Sequence, residues 1–336
     1  MTSSTDISIT DQYKSIQIQL FSVAGMILFS FGIVGNLLNC IVFMKRTMRQ
    51  NPSSIYFTAI AFINLLVLMT VLLPIVILYA TNSSFTTQTI LRCKVGYYVA
   101  TTFLMLSRYY LVLTAIDRAL FTSSNALVRQ RSTRRLAYRS IAGVTLFILL
   151  YHIYLLAIIG VVQLSPGYDI CFTNSAFFTS YIFYSNLIIG FQIPLLISAL
   201  LTIMTLKNIR RARIRPMNDI SFVTDVRRGK DRQFIGMGLS EVVVYIIFNS
   251  PAPIRNVYRE ITGSRGESAE GQTFDLFLQN VFYIVVFIIP AMNFYIYLIV
   301  SKAYRRKVIH LLDEFREHFF PRNLRNQQIA TVGTVT

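Results

Sequence analysis

Five charged residues stand in or against apolar sequence: Arg108, Asp117, Arg118, Asp231 and Glu241. Asp117 and Arg118 are adjacent, at the end of an apolar run that begins near Tyr97. Arg108 lies inside that run, ten residues before Arg118, and Glu241 lies inside a later run, ten residues beyond Asp231. Charges held out of water must be paired or hydrogen-bonded, so residues of these types point to ion pairs that hold or release helices. They do not point to catalysis. The three His are scattered, and no acids, His or Cys gather at catalytic or metal-ligating spacing, so no catalytic residue, metal or cofactor is expected.

The elements that must position these charges follow from composition. The chain has 336 residues, of which 54% are hydrophobic and only 14% charged, against about a quarter charged in a soluble domain. Lipid is the implied solvent, and a bilayer core needs roughly 20 apolar residues per helix. Seven such runs are present, at about 18–44, 54–80, 94–116, 137–163, 178–206, 234–257 and 276–300. The predicted fold is an all-α membrane protein: residues 1–17 as an outer tail, a seven-transmembrane-helix bundle over 18–300, an amphipathic helix over 301–320 and a tail over 321–336. In that last helix Tyr304, Val308, Leu311, Leu312, Phe315 and Phe319 recur at steps of three and four, with basic residues between. This pattern suits a helix lying on the inner leaflet.

The formal net charge of +17 could suggest nucleic acid, but its distribution argues for topology. Twenty-five of the 32 Lys and Arg fall after runs one, three, five and seven. Those segments share one side if the helices alternate, and the bias marks that side as cytoplasmic with the N-terminus outside. The expected site is the plasma membrane; nucleic acid is excluded, and membrane lipid is the partner of the basic face. Nothing before Phe21 reads as a cleaved signal peptide, so the first run is expected to direct insertion. Cys93 opens run three and Cys171 lies between runs four and five, both on the outer, oxidising side, so a Cys93–Cys171 disulfide is expected. Asn82-Ser83-Ser84 is an outer-loop sequon and makes Asn82 the expected glycosylation site.

Arg108 is about 15 Å deeper than Arg118 along a helix, where a charge costs at least roughly 2.5–3.5 kcal/mol. Glu241, at matching depth on an antiparallel run, is its expected partner. Asn64, backbone carbonyls or water are the alternatives, because ten residues turn a helix about 80° from the starting face.

Six landmarks in order resemble the rhodopsin-like (class A) G-protein-coupled receptors, in a divergent, possibly peptide-receptor-like form, across all seven runs. They are Gly35-Asn36, the Cys93 and Cys171 pair, Asp117-Arg118-Ala119 in place of Asp-Arg-Tyr, Pro194, Pro251, and Asn293-Phe294-Tyr295-Ile296-Tyr297 in place of Asn-Pro-x-x-Tyr. The resemblance implies a receptor for an extracellular peptide or small molecule that activates a heterotrimeric G protein by outward movement of span six. It makes Asp117, Arg118, Asp231, Asn293 and Tyr297 the switch, with Asp231 restraining Arg118. Asn64 stands where the family has an aspartate that anchors sodium, so no sodium regulation is expected. Asn36, Asn64, Ser107, Arg108 and Glu241, with Asn293, should form an intramembrane polar network. Asn249 replaces the family's span-six tryptophan, and Thr202 and Ala119 replace two of its tyrosines.

Ala100 stands where amine receptors carry an aspartate, and no lysine lies between Lys230 and Lys302 to hold retinal. The outer third instead offers Tyr97, Thr101, Tyr184, Asn249, Arg255, Asn256, Gln279 and Tyr283 as ligand-binding residues, types that suit a peptide or an acidic small molecule. Two other readings are a receptor-shaped binding protein without G-protein output and a seven-helix transporter. The chain shows no internal repeat of the kind transporters carry.

Overall fold

The computed structural model describes residues 12–13, 15–49, 51–81, 89–165, 168–214, 229–262 and 269–319. Among these, seven helices are long and apolar enough to cross a membrane: Ser15–Met44, Pro52–Thr81, Ile90–Phe121, Arg134–Ile158, Ala176–Arg211, Ile235–Arg259 and Phe277–Val300, spans one to seven. The protein is a multi-pass membrane protein built as a seven-helix bundle. Helices are the spanning solution because lipid offers the backbone no hydrogen-bond partners. Asn51 caps span two by accepting from Ser53 N, and Pro52 follows at a position whose missing N–H is harmless. Thr89 and Thr133 cap spans three and four in the same way, accepting from Arg92 N and Leu136 N.

Prolines interrupt the spans and set their shape. Span six divides into Gly229–Asn249 and Pro251–Thr262, and span seven breaks between Val285 and Ile288, just before Pro290. Spans two and five keep going through widened π turns, Leu68–Leu72 before Pro74 and Asn186–Gln192 before Pro194. Proline donates no N–H and its ring crowds the carbonyl four residues earlier, and the wider turn accommodates both effects.

Span one packs against span seven at small residues. A Cβ at Gly35 would come within 2.9 Å of the Phe294 side chain, so the Gly35 position admits no larger residue without displacement. Next to it, Asn36 Nδ2 donates to the carbonyls of Gly32 (2.8 Å) and Pro290 (2.6 Å).

The C-terminal helix is Lys302–Phe319. Tyr304, Val308 and Leu311 are buried against Val42, Phe43, Met48 and Phe294, and the Tyr304 hydroxyl donates to Asn39 of span one. Leu312 and Phe315 stay exposed. Glu314 accepts from Lys45 (2.5 Å) and contacts His310 (2.9 Å), and the bond from Lys45 holds its carboxyl below the usual range. That pair is solvent-exposed and contributes little, so the apolar face seats the helix.

One element departs from the all-helical expectation. Gly160–Ser165 (β1) and Tyr168–Phe172 (β2) form an antiparallel hairpin after span four, with Val161 opposite Cys171. Cys171 is bonded to Cys93, across 78 residues of chain, which fastens the hairpin to the start of span three. Non-reducing peptide mapping should therefore recover Cys93 and Cys171 in one linked pair, and reduction should lower the thermal midpoint in detergent. Two free thiols in the correctly folded chain would contradict the pairing.

Candidate functional site

The charged residues occupy three levels of the bundle interior. At the lowest, Asp117 and Arg118 are both about 3% exposed. Asp117 accepts from Ser53 Oγ (2.7 Å) on span two and from Ser132 Oγ (2.6 Å) in the segment before span four. An Arg118 guanidinium nitrogen lies 3.9 Å from the Asp117 carboxylate, and the guanidinium faces the Phe57 ring at 5.4 Å, within cation–π range. Gly238 of span six lies over Arg118, and a Cβ there would sit 3.4–3.5 Å from Arg118 and Thr114. Arg118 is thus enclosed by spans two, three and six. The side chain of Asp231 lies outside the described residues, as does Asn82.

One turn above Gly238, Glu241 is 2% exposed and accepts from Asn293 Nδ2 (2.9 Å) and the Tyr297 hydroxyl (3.0 Å). Its carboxylate gathers both polar members of the Asn293 to Tyr297 motif and ties span six to span seven.

Arg108 is held differently from the expectation. Its guanidinium donates to the Gly190 carbonyl of span five (3.1 Å) and stacks 3.7 Å from the Phe191 ring centroid. No Arg108–Glu241 salt bridge forms among the described residues, which corrects the expected pair. The reason lies in span five. Ile189 and Gly190 lie in the widened turn just before Pro194, which has no N–H to offer their carbonyls. The arginine supplies a donor in its place, and Tyr109 does the same for Ile189 through its hydroxyl (3.0 Å). Gly190 also leaves room: a Cβ there would lie 3.3 Å from the guanidinium.

The expected single polar network is likewise divided. Ser107 donates to Asn64 (2.8 Å), but Asn36 bonds carbonyls of spans one and seven, and Asn293 bonds Glu241. Of these, Ser107, Arg108, Glu241 and Asn293 border a cavity of about 30 Å³ together with Tyr245 and Asn249, large enough for a water.

The residues expected to bind ligand do not form one wall. Asn249 belongs to this mid-membrane cavity and donates to Tyr245 O (3.3 Å). Tyr97 packs by the disulfide hairpin, its ring 6.2 Å from Phe172, and Thr101 donates to Tyr97 O (2.8 Å). Tyr184, Gln279 and Tyr283 are exposed. Arg255 donates to Asn256 (3.2 Å) and, with Arg259, grips Asp275, which joins the end of span six to the start of span seven. Asp275, Ser53, Ser132, Gly190 and Phe191 were not singled out by sequence. Only Gly190 carried a signal, its distance from Pro194.

Among the described residues no three His, Cys, Asp or Glu gather as metal ligands. A family model described as 7 transmembrane receptor (rhodopsin family) matches residues 35–297. No curated protein matches the chain.

Three double substitutions test these contacts in the thermal midpoint of the purified chain. Glu241→Ala and Tyr297→Phe share a hydrogen bond and should be non-additive by about 0.5–3 kcal/mol, whereas Glu241→Ala and Arg108→Leu should add. Arg108→Leu should also be partly rescued by Pro194→Ala, which returns an N–H to the turn that holds Ile189 and Gly190. Strong Arg108–Glu241 coupling without rescue would reverse the assignment.

Proposed function

We propose, from the premise that the chain belongs to the rhodopsin family of seven-transmembrane receptors, that it binds an extracellular peptide or small molecule and activates a heterotrimeric G protein at its Arg118 end. The family is one of signalling receptors and not of enzymes. The observation that carries the reading is the enclosure of Arg118 by Asp117 and Gly238. A guanidinium buried at a helix end, packed on the span that must move, is exposed only when span six swings away. The excess of Lys and Arg on that side supports a cytoplasmic position for it, in a plasma-membrane receptor with the N-terminus outside.

The resting position of span six is held by two contacts in this reading. The lower is the packing of Gly238 on Arg118, to which Asp231 adds its charge. The upper is the bond set from Glu241 to Asn293 and Tyr297. Such hydrogen bonds contribute about 0.5–1.5 kcal/mol each, a scale that differential ligand binding can overcome. With Asn249 in place of the family's tryptophan, the switch lies in these contacts. Tyr97, Thr101, Tyr184, Arg255, Asn256, Gln279 and Tyr283 remain the proposed ligand face, and Asn82 the proposed glycan site.

The test needs no ligand. Gly238→Leu extends side-chain atoms into Arg118 and should push span six outward, at an overpacking cost of about 1–3 kcal/mol. Agonist-free nucleotide exchange on a coupled G protein should rise at least about fivefold, while Gly238→Ala stays close to wild type. If neither wild type nor Gly238→Leu speeds exchange on any G-protein class at matched expression, the coupling function is wrong.

A further inference from the structure

We propose that Ser132 is a phosphorylation site for an arginine-directed serine/threonine kinase, and that its phosphate releases Asp117 and so loosens Arg118. The proposal rests on the orientation given above, which places this segment with ATP and kinases in the cytoplasm.

The sequence around the residue is Arg129-Gln130-Arg131-Ser132-Thr133-Arg134-Arg135. Four arginines lie within three residues of the hydroxyl, a pattern that an acidic kinase groove recognises by charge. Ser132 lies in the non-helical stretch between the short helix Ala126–Arg129 and the start of span four at Arg134. It is half-buried, and its neighbours Arg131 and Thr133 are exposed. Ser132 itself lies outside both helices, while Arg129, Arg134 and Arg135 stand at their ends, so a kinase that reads the arginines opens those terminal turns. Thr133 beside it is exposed and caps span four by accepting from Leu136 N, whereas Ser132 is the hydroxyl that reaches Asp117.

The chemistry is a phosphoryl transfer. The γ-phosphorus of ATP leaves its bridging oxygen and bonds Ser132 Oγ, ADP departs, and the hydroxyl proton passes to the catalytic base of the kinase. The proton lost is the one that Ser132 donates to Asp117 at 2.6 Å. A favourable contact therefore becomes a repulsive one, with about −1.5 to −2 of charge added beside a carboxylate. Arg131, Arg134 and Arg135 make no ion pair among the described residues and can take up the phosphate as charge-assisted partners. Among the described residues, Asp117 then keeps Ser53 as its hydroxyl partner, and the hold on the neighbouring Arg118 weakens.

The purified full-length chain in lipid nanodiscs should be treated with ATP and an arginine-directed kinase, with a peptide spanning residues 126–138 as substrate control. Fragment mass spectrometry should place phosphate on Ser132 in wild type and none there in Ser132→Ala. Hydrogen exchange over residues 117–136 should then accelerate roughly tenfold on phosphorylation of wild type, the scale of losing one hydrogen bond to a charged group. Kinase-treated Ser132→Ala should show no further change. A chain that takes no phosphate, or takes it only on Thr133, overturns the site. Phosphate on Ser132 with unchanged exchange overturns the release of Asp117. Neither readout uses a G protein, so failure here is separable from failure of the receptor reading.

Discussion

In hydrocarbon every backbone N–H and C=O must find its partner inside the protein, and the interior of this bundle is organised by that constraint. Proline interrupts the ladder where it falls inside a span, at Pro74, Pro194, Pro251 and Pro290. The chain answers with widened turns at Leu68–Leu72 and Asn186–Gln192 and with side chains that reach freed carbonyls. Tyr109 and Arg108 bond Ile189 O and Gly190 O, the carbonyls just before Pro194, across to span five. Both bonds link different spans. Repair of the backbone is also what joins the helices, since lipid provides no hydrophobic drive between them.

The same constraint explains which charges pair with which. Arg108 and Glu241 border one cavity, and attraction at equal depth is a sound expectation from sequence. Each finds stronger local demand elsewhere. The carbonyl left by Pro194 requires a donor, and Arg108 carries five. Asn293 and Tyr297 require an acceptor, and Glu241 offers two oxygens. Depth alone could not rank these claims, because helix rotation decides which face each side chain meets.

The seven spans were legible because hydropathy is a property of local sequence, and the runs at 54–80 and 276–300 fall within two residues of Pro52–Thr81 and Phe277–Val300. The disulfide was legible because Cys93 and Cys171 share a side of the membrane. The β1–β2 hairpin was not, since its register is fixed by attachment to span three and not by a strong alternating pattern. Ser53 and Ser132 were invisible for a related reason. A serine near a helix start reads as a cap, and only the packed bundle brings both hydroxyls to Asp117. The contact of Arg108 with Gly190 lies between these extremes: the proline rule names the carbonyl, but not the donor that comes to it.

That contact has a consequence for biogenesis. Arg108 and Gly190 are 82 residues apart. Ribosomes add about 5–20 residues per second, so roughly 4–16 s separate the emergence of the arginine from that of its acceptor. During that interval span three must be inserted with its charge unmet, at the full cost of an arginine in the membrane. The nascent chain can settle span three fully only when span five arrives, which makes the first half of this bundle dependent on the second for its own completion.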